Sequence, residues 1–172
     1  LWPGGGWGIV DASSIPKAAY YYLRRCWQPR QVFLTDEGLD GMGVHLVNET
    51  AEAFQGVLEL TLLKDGHVII AQRETPVEVD AWTTRRFEAD AMLGGFYDVA
   101  YAYRFGPPKH DAVVATLRDT ERRVLGEAWR FVQREEPKAL ETCDLVASAT
   151  PVADGWEIRM SANRLLRAVW FD

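Results

Sequence analysis

The sequence predicts a mainly β protein built on an antiparallel β-sandwich. Three observations lead there. From Gln31 onward apolar and polar residues alternate in short runs, the period of a strand with one buried face. Turn-forming clusters separate the runs: DEGLDGMG at 36–43, Lys64-Asp65-Gly66-His67, and the charged stretch 118–123. Strands do not alternate with long helical patterns, so a parallel sheet is not expected. About seven strands fit between Gln31 and Val132, close to the ~100 residues that such sandwiches use.

The one long helix comes first. Residues 17–27 are helical by pattern, with Pro16 at the entry, where its missing N–H costs nothing. Ser13 and Ser14 are candidate caps. Ala19, Leu23, Cys26 and Trp27 form the more apolar face, Arg24 and Arg25 suit the C-terminal dipole, and Pro29 stops the helix. A single short helix is marginal without a partner for its apolar face. The chain begins on Leu1 rather than Met, so residues 1–27 are expected to be the tail of a larger domain lying upstream.

The strands follow. Residues 31–35 form the first. Residues 44–48 put Val44, Leu46 and Asn48 on one face against His45 and Val47. Residues 53–63 put Leu58, Leu60 and Leu62 opposite Val57, Glu59, Thr61 and Leu63. Asp65-Gly66 between alternating runs marks a hairpin that returns over residues 67–73. Residues 76–79 and 83–87 read as a separate extended stretch, 89–93 as one helical turn, and 112–117 with 124–131 as a further pair. In residues 94–108 the alternation of Tyr97, Val99, Tyr101 and Tyr103 predicts a strand. Residues 134–141 (REEPKALE) read as a linker, and 143–152, 155–161 and 166–171 as three more strands, the start of another β-domain.

Composition narrows the function classes. A net charge of −6 argues against sequence-independent nucleic-acid binding, which needs a basic surface. No apolar run approaches the ~20 residues that span a bilayer, so no membrane partner is expected. Cys26 and Cys143 are isolated thiols, read as buried or idle, with a disulfide between them left open. His45, His67 and His110 are too scattered for a metal-ligand spacing, so no metal or cofactor is expected. Gly4-Gly5-Gly6 lacks the Lys-Ser/Thr of a phosphate loop. The acidic pairs Asp36-Glu37 and Glu135-Glu136 lie in a turn and a linker and read as solvated, and Asp11 as a residue that caps or hydrogen-bonds a loop. Trp82, Trp129, Trp156 and Trp170 read as core or interdomain residues. Tyr97, Tyr101 and Tyr103 read either as an exposed platform or as edge packing.

The first thirty residues add a family resemblance. Trp2-Pro3, Trp7, Asp11, Lys17-Ala18, Tyr21 or Tyr22, Arg25 and Pro29 resemble the closing segment of the catalytic barrel in β-mannosidase-like enzymes of glycoside hydrolase family 2. Ser14-Ile15 departs from the small residue usual before the Pro/Lys step. The resemblance covers most of the chain, and its motifs are specific only in those thirty residues. It implies an immunoglobulin-like sandwich preceded by one helix from a truncated (β/α)8 barrel. The implied division is residues 1–29 for the barrel end, 30–133 for the sandwich, and 134–172 for the linker and a partial β-domain. It also implies a parent that is a retaining glycosidase with two carboxylates ~5 Å apart, both upstream of this segment.

No residue of this chain is therefore assigned to catalysis. Trp2 would sit at the rim where such barrels build their sites, and is the candidate substrate-binding residue of the intact enzyme; packing is the alternative for Trp2 and Trp7. The implied partners are the upstream barrel and an oligosaccharide. The orphaned face of Leu23, Cys26 and Trp27 is expected to be exposed and to drive dimerisation. The rival readings are an autonomous carbohydrate-binding module and a plain protein-interaction domain.

Overall fold

The computed structural model describes residues 6–132, 143–166 and 169. Trp2, Trp170, Glu135-Glu136 and the predicted linker lie outside them, as does most of the last predicted strand. Alternation between buried and exposed side chains produces seven sandwich strands in the expected order. These are β1 (Arg30–Asp36), β2 (Met42–Asn48), β3 (Phe54–Lys64), β4 (Val68–Val79), β5 (Thr83–Glu88), β6 (Ala112–Asp119) and β7 (Val124–Phe131). All pair antiparallel, in one sheet ordered β1-β2-β5 and another ordered β4-β3-β6-β7. This is an immunoglobulin-like sandwich in which the chain crosses from one sheet to the other after β2, β4 and β5.

The core lies between the two inner faces. Val32, Val44 and Leu46 from the smaller sheet meet Leu58, Leu60, Leu62, Val113, Ala115 and Leu117 from the larger, all essentially inaccessible to water. The period-2 pattern of β3 is obeyed, with Leu58, Leu60 and Leu62 inward. Asn48 falls on the same buried face of β2 as Val44 and Leu46. A bare amide there would cost stability, so it is fully engaged. Its Nδ2 lies 2.8–3.3 Å from the carbonyls of Glu52, Val79 and Asp80, and its Oδ1 accepts from Thr50. One polar side chain thus ties together three chain segments at that end of the sandwich.

Two readings of the strands need correction. Residues 68–79 are one twelve-residue strand, not two pieces. Pro76 does not break it because β4 is an edge strand, where a missing N–H leaves no ladder bond unmade. Residues 94–108 form no strand. The β3–β4 hairpin does turn at Asp65 and Gly66, with the positive φ of +53° and +72° of a primed turn, and His67 completes a three-residue loop between the paired Lys64 and Val68.

Helix α1 (Ala18–Cys26) starts two residues after Pro16, and neither Ser13 nor Ser14 caps it. The preceding loop is organised by Asp11 instead. Its Oδ1 accepts the backbone N–H of Ser13 (2.8 Å) and Ile15 (2.9 Å), as expected for a loop-bonding carboxylate. No residue of α1 is fully buried. The helix is fastened to the sandwich through Gln31, which donates to the Arg25 carbonyl and lies buried against Gly126. Any Cβ at residue 126 would overlap that amide.

A short helix, α2 (Ala89–Leu93), buries Ala89 and Leu93 over the core. Beyond the sandwich, β8 (Val146–Val152) and β9 (Gly155–Ser161) form a separate two-stranded hairpin with every residue exposed. The chain after it touches the β3–β4 turn, where Leu165 N–H donates to the Gly66 carbonyl at 2.7 Å. Cys26 and Cys143 are free thiols, and Cys26 is exposed rather than buried. Trp82, Trp129 and Trp156 are exposed and none belongs to the core.

Candidate functional site

The segment between α2 and β6, residues 94–110, begins with Gly94-Gly95 and contains Gly106-Pro107-Pro108, punctuation that keeps it out of any sheet. Side chains replace the missing ladder bonds. The Asp98 carboxylate accepts the N–H of Ala102 (2.8 Å), Tyr103 (3.3 Å) and Arg104 (3.3 Å). Asp90 accepts the N–H of Tyr97 at 3.0 Å. The Tyr101 hydroxyl donates to the Gly106 carbonyl, and the Tyr103 hydroxyl reaches the Leu39 carbonyl on the β1–β2 connection. Asp98, Tyr101 and Arg104 all have positive φ, a conformation that non-glycine residues hold only when their surroundings fix it.

His110 closes the segment from below. It is buried, and its Nε2 lies 3.0 Å from the carbonyl of Val99, which is itself buried; the bond assigns the proton to Nε2. Nδ1 is buried with no partner among the described residues. Burial lowers the His110 pKa, against the opposing pull of the Val99 carbonyl and of Asp111 and Asp98. Next to it, burial pushes the Asp111 carboxyl up, but the Lys64 ammonium at 2.6 Å and the Asp65 N–H outweigh that and hold it below the usual range.

This framework presents aromatic rings to solvent. Phe96 and Phe105 are 62% and 77% exposed, with Tyr103 at 41% between them. Tyr103 and Phe105 stack with centroids 5.7 Å apart and planes 25° from parallel, and Phe96 meets Tyr103 edge-on at 5.3 Å. Beside the rings lies a pocket of about 710 Å³ lined by Asp36, Leu39, Tyr101, Arg104 and Val132 among others. Asp36 is held there by Arg130 and by the Gly38 N–H.

The sequence leaves Tyr97, Tyr101 and Tyr103 open between an exposed platform and edge packing. The structure keeps Tyr103, half-buries Tyr97 and Tyr101, and replaces them with Phe96 and Phe105. The flanking glycines and prolines were the signal that residues 94–108 are a loop, in which strand alternation no longer dictates direction. Trp7 is fully exposed and packs on nothing described. Asp36 and Glu37 are paired with Arg130 and Arg86, not merely solvated, and Arg86 holds Glu37 below the usual carboxylate range. Among the described residues no group of three metal-ligating side chains is present, and no helix is long and apolar enough to cross a membrane.

A second surface surrounds α1. Trp27 is 73% exposed, Cys26, Tyr21 and Tyr22 are also exposed, and Leu23 is half-buried. Tyr22, Arg25 and Cys26 border a cavity of about 870 Å³ with Phe33, Trp129 and Leu165.

No protein-family model matches the sequence, and no curated protein matches it. The fold is nevertheless similar to part of solved glycosidases. The β-D-mannosidase of Dictyoglomus thermophilum superimposes with a TM-score of 0.71 over 92% of this chain at 16% identity. The exo-chitosanase CsxA of Amycolatopsis orientalis does so with a TM-score of 0.56 over 92% at 14% identity. This chain spans only 18% and 20% of those two proteins. At such identities the likeness is one of fold.

Proposed function

We propose that this chain is a non-catalytic, C-terminal accessory part of a β-mannosidase-like glycoside hydrolase. In that reading residues 1–29 close the catalytic barrel, and the sandwich at 30–133 braces it and borders the substrate entrance. Trp2 would line the sugar pocket of the intact enzyme. The observation that carries the reading is the fold likeness to the mannosidase over 92% of this chain and 18% of that enzyme. The barrel-closing pattern Trp2-Pro3, Trp7, Asp11 and Lys17-Ala18 points the same way. Bond cleavage then belongs to carboxylates upstream. The exposed face of Cys26 and Trp27 is the surface the barrel would cover, and in isolation it would pair two copies of the chain.

The test is hydrolysis of chromogenic glycosides by this chain and by a form extended upstream by ~300 residues, a barrel plus margin. The long form should cleave a β-mannoside and the short form should not. Hydrolysis by the short form would overturn the reading.

A further inference from the structure

We propose that the end of the sandwich formed by residues 94–106 and Leu39 is itself a saccharide-binding site, taking one neutral pyranose unit of a β-linked chain. The inference rests on the glycosidase-accessory reading for the choice of sugar, and on the geometry of this end for everything else. Phe105 has one ring face on Tyr103, and at 77% exposure its remaining surface is open to solvent. An open aromatic face suits the C–H face of a pyranose, whose hydroxyls lie around the rim and need polar partners of their own.

Such partners stand beside the rings. Arg104, between Tyr103 and Phe105 in sequence, lines the adjoining pocket with Asp36. Its guanidinium makes no hydrogen bond to a described residue, and its planar fork of donors matches a pair of neighbouring hydroxyls. The Asp36 carboxylate keeps acceptor capacity beyond Gly38 and Arg130. A guanidinium donor beside a carboxylate that still has acceptor sites offers both halves of the hydrogen-bonding that sugar hydroxyls, which donate and accept, require. The cluster is also pre-organised. Asp98, Asp90 and the tyrosine hydroxyls fix the loop, so little ordering remains to be done on binding.

The test is an amide-resolved NMR titration of this chain with three neutral oligosaccharides, β-1,4-linked mannohexaose, cellohexaose and the fully N-acetylated chitin hexamer. The expected result is shifts confined to residues 96–106 and 36–39 with at least one of the three. Phe105→Ala should weaken that binding about tenfold or more, one decade being about 1.4 kcal/mol, with the melting temperature unchanged. Arg104→Gln should weaken it while leaving the ring contacts intact. No shift at about 10 mM sugar, ten times the concentration for millimolar affinity, overturns the site. So do shifts located elsewhere, or a dimer that Phe105→Ala abolishes without any sugar effect. The two readings fail separately. An active extended enzyme with a chain that binds no sugar removes only the site; an inactive extended form with a chain that binds removes only the mannosidase parent.

Discussion

Helix α1 and residues 94–110 are opposites. The helix has a regular hydrogen-bonded backbone and fully buries none of its side chains, with only Tyr20 and Leu23 half-buried. The loop has no regular structure, yet Val99 and His110 are sealed and its backbone is held by carboxylates and hydroxyls. Regular secondary structure and tertiary fixation are separate properties. A backbone ladder satisfies polar groups, but burial of apolar surface and tertiary hydrogen bonds are what make an element costly to lose. By that argument the loop is the better-anchored of the two, although a secondary-structure description alone suggests the reverse.

The comparison can be broken most decisively at the core. Leu60→Ala, at a position with no solvent exposure, should cost about 2–5 kcal/mol in urea unfolding. Asn48→Ala comes next, at about 1–3 kcal/mol, because it strands the carbonyls and the Thr50 groups that the amide serves. Asp98→Ala removes acceptors from three loop N–H groups and should cost about 1–2 kcal/mol. Its distinguishing readout is hydrogen exchange, with the amides of Ala102, Tyr103 and Arg104 losing protection while β3 keeps its own. At the low end, Trp27→Ser should change unfolding by less than about 0.5 kcal/mol. It should also reduce self-association measured by sedimentation. If Trp27→Ser destabilised the chain as much as Asp98→Ala, the ranking of the two regions would be wrong.

The His110 prediction sharpens the comparison by pH. Its folded pKa lies below the unfolded value, so above about 6.5 both states are neutral and the histidine adds no pH dependence. As pH falls below that, the unfolded chain binds the proton first and stability is lost, until the folded pKa is passed. The groups around it are Asp98 and Asp111, which favour the proton, and Lys64, which opposes it. Thermal melts of the parent and of His110→Gln should diverge below about 6.5, the parent falling more steeply. Below about 4 a further loss should appear in both as the Asp111 carboxylate, depressed by Lys64, takes up its proton.

The sandwich was legible because period-2 alternation over β3 and a Gly-bearing turn after it constrain both direction and register. The inward set Leu58, Leu60 and Leu62 follows directly. What was not legible depended on tertiary context. Pro76 reads as a strand breaker until β4 is known to be an edge. The tyrosines at 97, 101 and 103 alternate as a strand would, but Asp98 turns the backbone through three positive-φ residues, so ring direction is set by a carboxylate and not by a period. Of the two places open to the tryptophans, core or interdomain, the core is ruled out for Trp82, Trp129 and Trp156, which are exposed. The Asp36 and Arg104 pocket joins residues far apart in sequence and has no local signature.

The edge position of β4 has a consequence for handling the protein in solution. Its second half is guarded, since Pro76 offers no N–H and Arg85 occupies the Glu78 carbonyl at 2.6 Å. Its first half carries Val68, Ile69 and Ile70, all exposed and uncharged. A foreign strand adds there more readily than along the guarded half of β4, which makes those three residues the aggregation-prone part of this edge. A lysine placed at Ile69 should raise the soluble yield without touching the core, because it adds the charge that the second half of the strand already has.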